Sequence, residues 1–299
     1  MFKSKNNKLI SITWLIMIFS SILPIILFRE LFNLKTDWIE PTQLIILIIL
    51  LFVSFFTDSL KEIRLFLFLI FILKLTQELT FYIKNSELWS LWFELESPNF
   101  IMWLLSDQLL RLTAGVIIFL ILLYFKKKPG NFFIKKGDID AEVKPIKWIL
   151  KKPTTWKKFG TVFMFYISLG TVIFLLIAGG IPSFIQLTGL LKLLPFIVFF
   201  AVINAFYEEL AYRASFLSVL EEQIGGPQSV YMTSVLFGIG HFYGVPYGMI
   251  GVLMATFLGY LLGKSMLETR GFFWAFLIHM VQDIIIFSFL ALNMFKVGG

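Results

Sequence analysis

The chain has 299 residues and a formal net charge of +7; 15% of its residues are charged, 58% are hydrophobic, 36 are phenylalanine and none is cysteine. Its mean hydropathy of +0.86 excludes a soluble globule, because a folded domain of this size cannot cover so much apolar surface with polar groups. Disorder is excluded by the same hydrophobicity, and a disulfide scaffold, thiol catalysis and thiolate metal ligation are excluded by the missing cysteines.

What remains is an all-α polytopic transmembrane bundle. Nine apolar stretches of about the length a bilayer requires follow one another, at about 9–28, 41–57, 65–83, 100–125, 160–178, 190–212, 229–243, 246–263 and 272–293. The first follows Lys3, Lys5 and Lys8 and has no small-residue cleavage site before Arg29, so it reads as an uncleaved span rather than a signal peptide. Inside the third stretch Lys74 and Glu78 stand four apart, and inside the fourth so do Asp107 and Arg111. That spacing puts each pair on one helix face, where the two charges neutralise each other.

Between the fourth and fifth stretches, residues 126–158 hold 11 lysines against three acids, a net of +8 in a chain whose total is +7. A basic loop between spans is the positive-inside signature. It predicts a multi-pass protein of the cell membrane with a cytoplasmic N-terminus and, over nine spans, an outer C-terminus. On that arrangement the inner segments hold 18 lysines and arginines and the outer segments four. The same placement argues against nucleic acid as a partner and makes the lipid bilayer, with its anionic headgroups, the neighbour of these lysines. The chain therefore divides into N-terminal transmembrane helices (1–125), a basic cytoplasmic loop (126–158) and a C-terminal transmembrane core (159–299) that carries the chemistry.

In that core the sixth stretch contains Asn204, Glu208, Glu209, Tyr212 and Arg213. Glu209 and Arg213, four apart, form an ion pair. Glu208 points about 100° away, has no cation on its own helix, and shares a face with Asn204 and Tyr212. A carboxylate at that depth suits a general base or acid; a solvated helix end fits the motif equally. The histidines decide. The chain has two, His241 after Phe237 on the seventh stretch and His279, four before Asp283, on the ninth. Counting at about 1.5 Å per residue puts Glu208, His241, His279 and Asp283 roughly 10–20 Å from the inner face, one layer within the error of the span ends. Gly251, Ala255, Gly259 and Gly263, on the eighth stretch, recur every four residues and read as a helix-packing stripe.

Glu208-Glu209-x-x-x-Arg213, Phe237-x-x-x-His241 and His279-x-x-x-Asp283, in this order over about 190–293, resemble the three motifs of the CPBP family of CAAX proteases and bacteriocin-processing proteins, also called Abi. The resemblance implies an intramembrane endopeptidase that acts on a membrane-associated peptide or protein; the family's type II CAAX prenyl endopeptidases remove three residues after a prenylated cysteine. It implies Glu208 as the base that activates water, His241 as its partner on that water, Glu209 and Arg213 as a supporting pair, and His279 with the Asx position, here Asp283, beside the substrate carbonyl. Phe237 and Asn204 are carried as supporting residues. The prenyl-processing branch has Asn where this chain has Asp283, so the role of that position stays open: a protonated donor, an orienting group for His279, or a metal ligand. Orientation of His279 by Asp283 is the preferred expectation.

With no cysteine, no G-x-S-x-G turn and no serine in the motifs, water is the expected nucleophile. It is activated either by Glu208 and His241 without metal, or on a divalent metal such as zinc held by His241, His279 and Glu208. Two other classes remain: a non-catalytic peptide-binding membrane protein acting in bacteriocin immunity or self-protection, and a transporter with a proton relay. The second lacks repeated halves with broken helices.

Overall fold

A computed structural model of the chain describes residues 7–93, 99–147, 149–150 and 152–297, the last three by backbone alone. Lys3, Lys5 and Lys151, used above for sidedness, lie outside the described residues. The architecture is all-helical, with no β-strand among the described residues. In chain order the main helices are α1 (Asn7–Ser20), α2 (Leu23–Leu31), α3 (Ile39–Val53), α4 (Arg64–Lys84), α5 (Phe100–Lys126), α6 (Trp156–Gly179), α7 (Phe184–Ile224), α8 (Gly226–Gly240), α9 (Met249–Thr269) and α10 (Phe273–Val297).

Six of these, α4, α5, α6, α7, α9 and α10, are long and apolar enough to cross a membrane, or seven if α1 and α2 count as one bent span. The expectation of about nine spans is not met, for reasons of local backbone. The stretch at 9–28 breaks at Ser21–Ile22 before Pro24, and its halves meet at 54°. The stretch at 41–57 is a helix of 15 residues. The stretch at 229–243 is likewise a helix of 15 residues, opened by Gly225 at φ +92, where a left-handed backbone turns the chain back from α7.

Helix α7 is central. It begins at a capping box, with Ser183 accepting from the Gln186 backbone and the Gln186 side chain accepting in return from Ser183 N. Ile197, Phe200 and Ala201 of α7 pack with Phe100 and Leu104 of α5 and Phe287 and Ala291 of α10 in one apolar cluster. Leu210, Phe216 and Leu217 belong to a second cluster with Phe66, Phe132, Trp156, Leu262 and Trp274. Asn204, Glu208 and Glu209 lie where the chain passes from the first cluster to the second. On the other flank the small-residue stripe of α9 meets α8: a side chain at Gly259 would crowd Ser234 Cα and Phe237, and one at Gly263 would meet Val230 and Thr233. That bears out the packing reading.

The loop 126–158 folds against the C-terminal end of α9 and the N-terminal end of α10. Trp156 is fully buried and donates to Glu268, Trp274 donates to the Ile139 carbonyl, and Asp138 N donates to Thr269 O. Gly137 and Gly271 touch backbone to backbone; a side chain on either would meet the other's Cα, and Gly137 also sits at φ +73. Lys74 is buried and lies 3.5 Å from Glu40 of α3, so packing of α3 against α4 adds a closer partner across helices to the charge of Glu78 on its own helix.

Candidate active site

The structure gathers all four residues expected at the site. Glu208, His241, His279 and Asp283 line one cavity of ≈ 470 Å³, together with Asn204, Phe237, Gln108 and Arg111. Its apolar flank includes Phe174 and Leu175 of α6, Met254 and Leu258 of α9, and Ile286 and Phe287 of α10. The polar end is held by three helices, α5, α7 and α10, and by the C-terminal end of α8.

On α7 the backbone changes at Glu209. Residues Glu209–Ala214 form a π-helical turn, the kind of local insertion that recurs at functional sites. Glu209 still pairs with Arg213, and both side chains are fully buried. Arg213 lies over the Phe237 ring at 4.0 Å from its centroid, and Phe237 also contacts the rings of His241 (4.3 Å) and His279 (5.8 Å). Phe237 is thus the apolar wall common to the buried cation and both histidines.

His279 Nδ1 is 2.6 Å from Glu209 Oε1. The same carboxylate oxygen therefore serves Arg213 and His279. His279 Nε2 faces Glu208 Oε2 at 3.5 Å and Asp283 Oδ1 at 3.7 Å. The expected orientation of His279 by Asp283 is corrected: Glu209, from the neighbouring helix, takes Nδ1, and Asp283 stands off Nε2 at a distance too long for a hydrogen bond. Asp283 Oδ2 instead accepts from Asn204 Nδ2 at 3.0 Å, and Asn204 Oδ1 accepts from Gln108 Nε2 at 3.3 Å.

His241 caps the end of α8, and its Nδ1 is 2.8 Å from the Phe237 carbonyl. A carbonyl oxygen accepts only, so Nδ1 donates, and in a neutral ring Nε2 is left with a lone pair.

Glu208 is not without a cation. Arg111 Nη1 donates to Glu208 Oε1 at 2.7 Å, while Arg111 Nε donates to Asp107 Oδ2 at 2.6 Å and Lys84 Nζ to Asp107 Oδ1 at 2.7 Å. The Asp107–Arg111 helix pair was legible from its spacing; its reach to Glu208, 97 residues along the chain, was not. Tyr212, expected on the face of Glu208, instead accepts from Gln77 Nε2 at 2.9 Å, because the π turn shifts the register between the two residues.

The zinc alternative finds no ligand set. Among the described residues no group of three His, Cys, Asp or Glu side chains is placed to hold a metal ion. The expected set of His241, His279 and Glu208 is therefore not assembled as a metal site, and Glu208 is instead tied to Arg111.

Comparison with known families places a match on this part of the chain. Residues 190–285 match the family model described as type II CAAX prenyl endopeptidase Rce1-like, which belongs to the CPBP family. The match bears out the resemblance read from the three motifs and covers α7 from residue 190, α8, α9 and α10 to residue 285. It supports an intramembrane protease with a peptide substrate in a membrane setting; bacteriocin processing and immunity gain no support from it. No curated protein and no solved structure matches the chain.

Proposed function

We propose that the protein is an intramembrane endopeptidase that hydrolyses a peptide bond of a membrane-associated peptide or protein through a water molecule activated by Glu208 and His241. The observation that carries this reading is the convergence of both histidines of the chain with Glu208 and Asp283 on one cavity with an apolar flank. Glu208 accepts the proton of the attacking water, and His241 Nε2 accepts a hydrogen bond from the same water. Glu209 and Arg213 fix the ring of His279 so that Nε2 faces the substrate carbonyl, with Phe237 as the wall behind. Asn204 holds Asp283. The apolar flank receives the hydrophobic part of the substrate.

The reading is tested by comparing the small membrane-associated peptides of cells that carry the wild type or Glu208→Gln. Fragments present with the wild type and absent with the variant are expected; identical peptide profiles would sink the protease function. Because no three-ligand metal site is assembled, cleavage by the purified protein should survive exhaustive chelation. Activity lost on chelation and restored by zinc would overturn the metal-free route.

The orientation proposed is N-terminus and loop 126–158 inside. It is supported by the concentration of lysines in that loop and by the loop's docking on the shared ends of α9 and α10. The chain has no cysteine, so Lys144→Cys gives a single label site. It should resist an impermeant maleimide in intact cells and react after lysis. Strong labelling of intact cells would reverse the orientation.

A further inference from the structure

Hydrolysis through a tetrahedral intermediate requires a donor for the oxygen that becomes negative, and the cavity is acidic at the point where that charge appears. Asp107, Glu208 and Asp283 all line it. An ionised Asp283 accepts hydrogen bonds and repels an oxyanion. Arg213 cannot reach: it is fully buried behind Phe237. Among the described residues that line the cavity, Arg111 is the one lysine or arginine. Its Nε is committed to Asp107 and its Nη1 to Glu208, whereas Nη2 has no hydrogen bond among the described residues, and 34% of the side-chain surface stays uncovered. The two N–H groups of Nη2 are thus held on the same planar fork that binds the proposed base, on the lining of the cavity that would receive the scissile bond.

We propose that Arg111, from the N-terminal half of the chain, is a catalytic residue whose Nη2 donates, alongside His279 Nε2, to the carbonyl oxygen of the scissile bond. This rests on the peptidase reading above. The water oxygen bonds to the carbonyl carbon, its proton passes to Glu208, and the π pair moves onto the carbonyl oxygen, to which Arg111 Nη2 donates a hydrogen bond. The pair then returns, the C–N bond breaks, and the leaving nitrogen takes the proton back from Glu208. No other reactant is needed. Asp107 and Lys84 act one step out as positioning residues, since they fix the fork through Nε.

The test uses the purified full-length protein and a panel of internally quenched peptides, some farnesylated on a cysteine three residues from the C-terminus and some unlipidated. On the peptide that the wild type cleaves best, Arg111→Gln should lower kcat by about 10²–10³-fold, the cost of one lost oxyanion donor, with KM changed less than threefold. Arg111→Lys, which keeps charge but loses the fork, should fall between. Asp283→Asn supplies a neutral donor to the same cavity, so it should restore part of the lost kcat to the Arg111→Gln enzyme. Thermal unfolding of each variant separates loss of fold from loss of chemistry. Unchanged kcat in a folded Arg111→Gln would overturn the proposal. So would a pH profile of kcat/KM that moves along the pH axis with its plateau intact, because that is the mark of a residue that tunes Glu208 and does not touch substrate. If the wild type cleaves no peptide of the panel and the cellular peptide comparison is also blank, the peptidase reading falls and this proposal with it.

Discussion

Glu208→Gln should lower kcat roughly 10³–10⁴-fold, at the upper end of what removal of a general base costs, while the protein inserts and folds as the wild type does. The substitution keeps the shape of the side chain. Its amide oxygen still accepts from Arg111 Nη1, and Arg111 retains Asp107, so the ion network across α5 and α7 keeps its geometry. What disappears is an oxygen that can take a proton from water. The effect should therefore fall on turnover rather than on binding, and a quenched peptide should bind Glu208→Gln about as tightly as it binds wild type. Single-turnover cleavage with excess enzyme measures the chemical step directly. A folded Glu208→Gln with wild-type turnover would remove Glu208 from the mechanism and leave a peptide-binding protein as the better description.

Glu209→Gln should act in a different way, on the fold first. One oxygen of Glu209 serves both Arg213 and His279, and all three side chains are buried. The amide keeps an acceptor in place but removes the charge that balances the Arg213 guanidinium. It also puts two N–H donors where Glu209 Oε2 has no hydrogen-bond partner among the described residues. Breaking one side of a buried ion pair costs about 3–5 kcal/mol, so the melting temperature and folded yield in detergent should both fall clearly. Any folded fraction should also be weakly active, because a neutral amide oxygen holds the His279 Nδ1–H less firmly than the carboxylate does. Wild-type yield and melting temperature would show that the Glu209–Arg213 pair does not support the core.

The site was largely legible in the sequence because its motifs are local. Glu209 and Arg213, and Phe237 and His241, stand four residues apart, a spacing at which one helix face brings side chains together. Counting residues from the span ends then put the pieces at one depth. What the sequence could not show was which helices are neighbours. The partner of His279 Nδ1 comes from α7, not from Asp283 one turn along α10. The cation beside Glu208 comes from α5, and the closer partner of Lys74 from α3. Tyr212 was misplaced for a local reason: an extra residue in the π turn breaks the 100° count. The span count failed where hydropathy cannot see backbone, at Ser21–Ile22 and at the two helices of 15 residues.

The shortness of α8 has its own consequence for the surrounding lipid. Fifteen residues rise about 22 Å, against roughly 30 Å of hydrocarbon. If α8 starts at the same face as the docked basic loop, it stops before the far boundary, and the irregular chain from His241 to Gly248 lies where tails would otherwise be. Non-helical backbone is tolerated at that depth only if protein or water satisfies it. Part of the demand is met within the loop, by Gly244 N on His241 O and Gly248 N on Phe242 O. Tyr243, Val245 and Tyr247 are exposed there, and tyrosines of this kind settle at the headgroup boundary. On the proposed orientation, a helix this short favours local thinning of the bilayer around this loop, with the polar boundary drawn toward His241. If the proposed hydrolysis draws its water through such a dip, its rate should depend on acyl-chain length, with thicker membranes slowing it by drying the site.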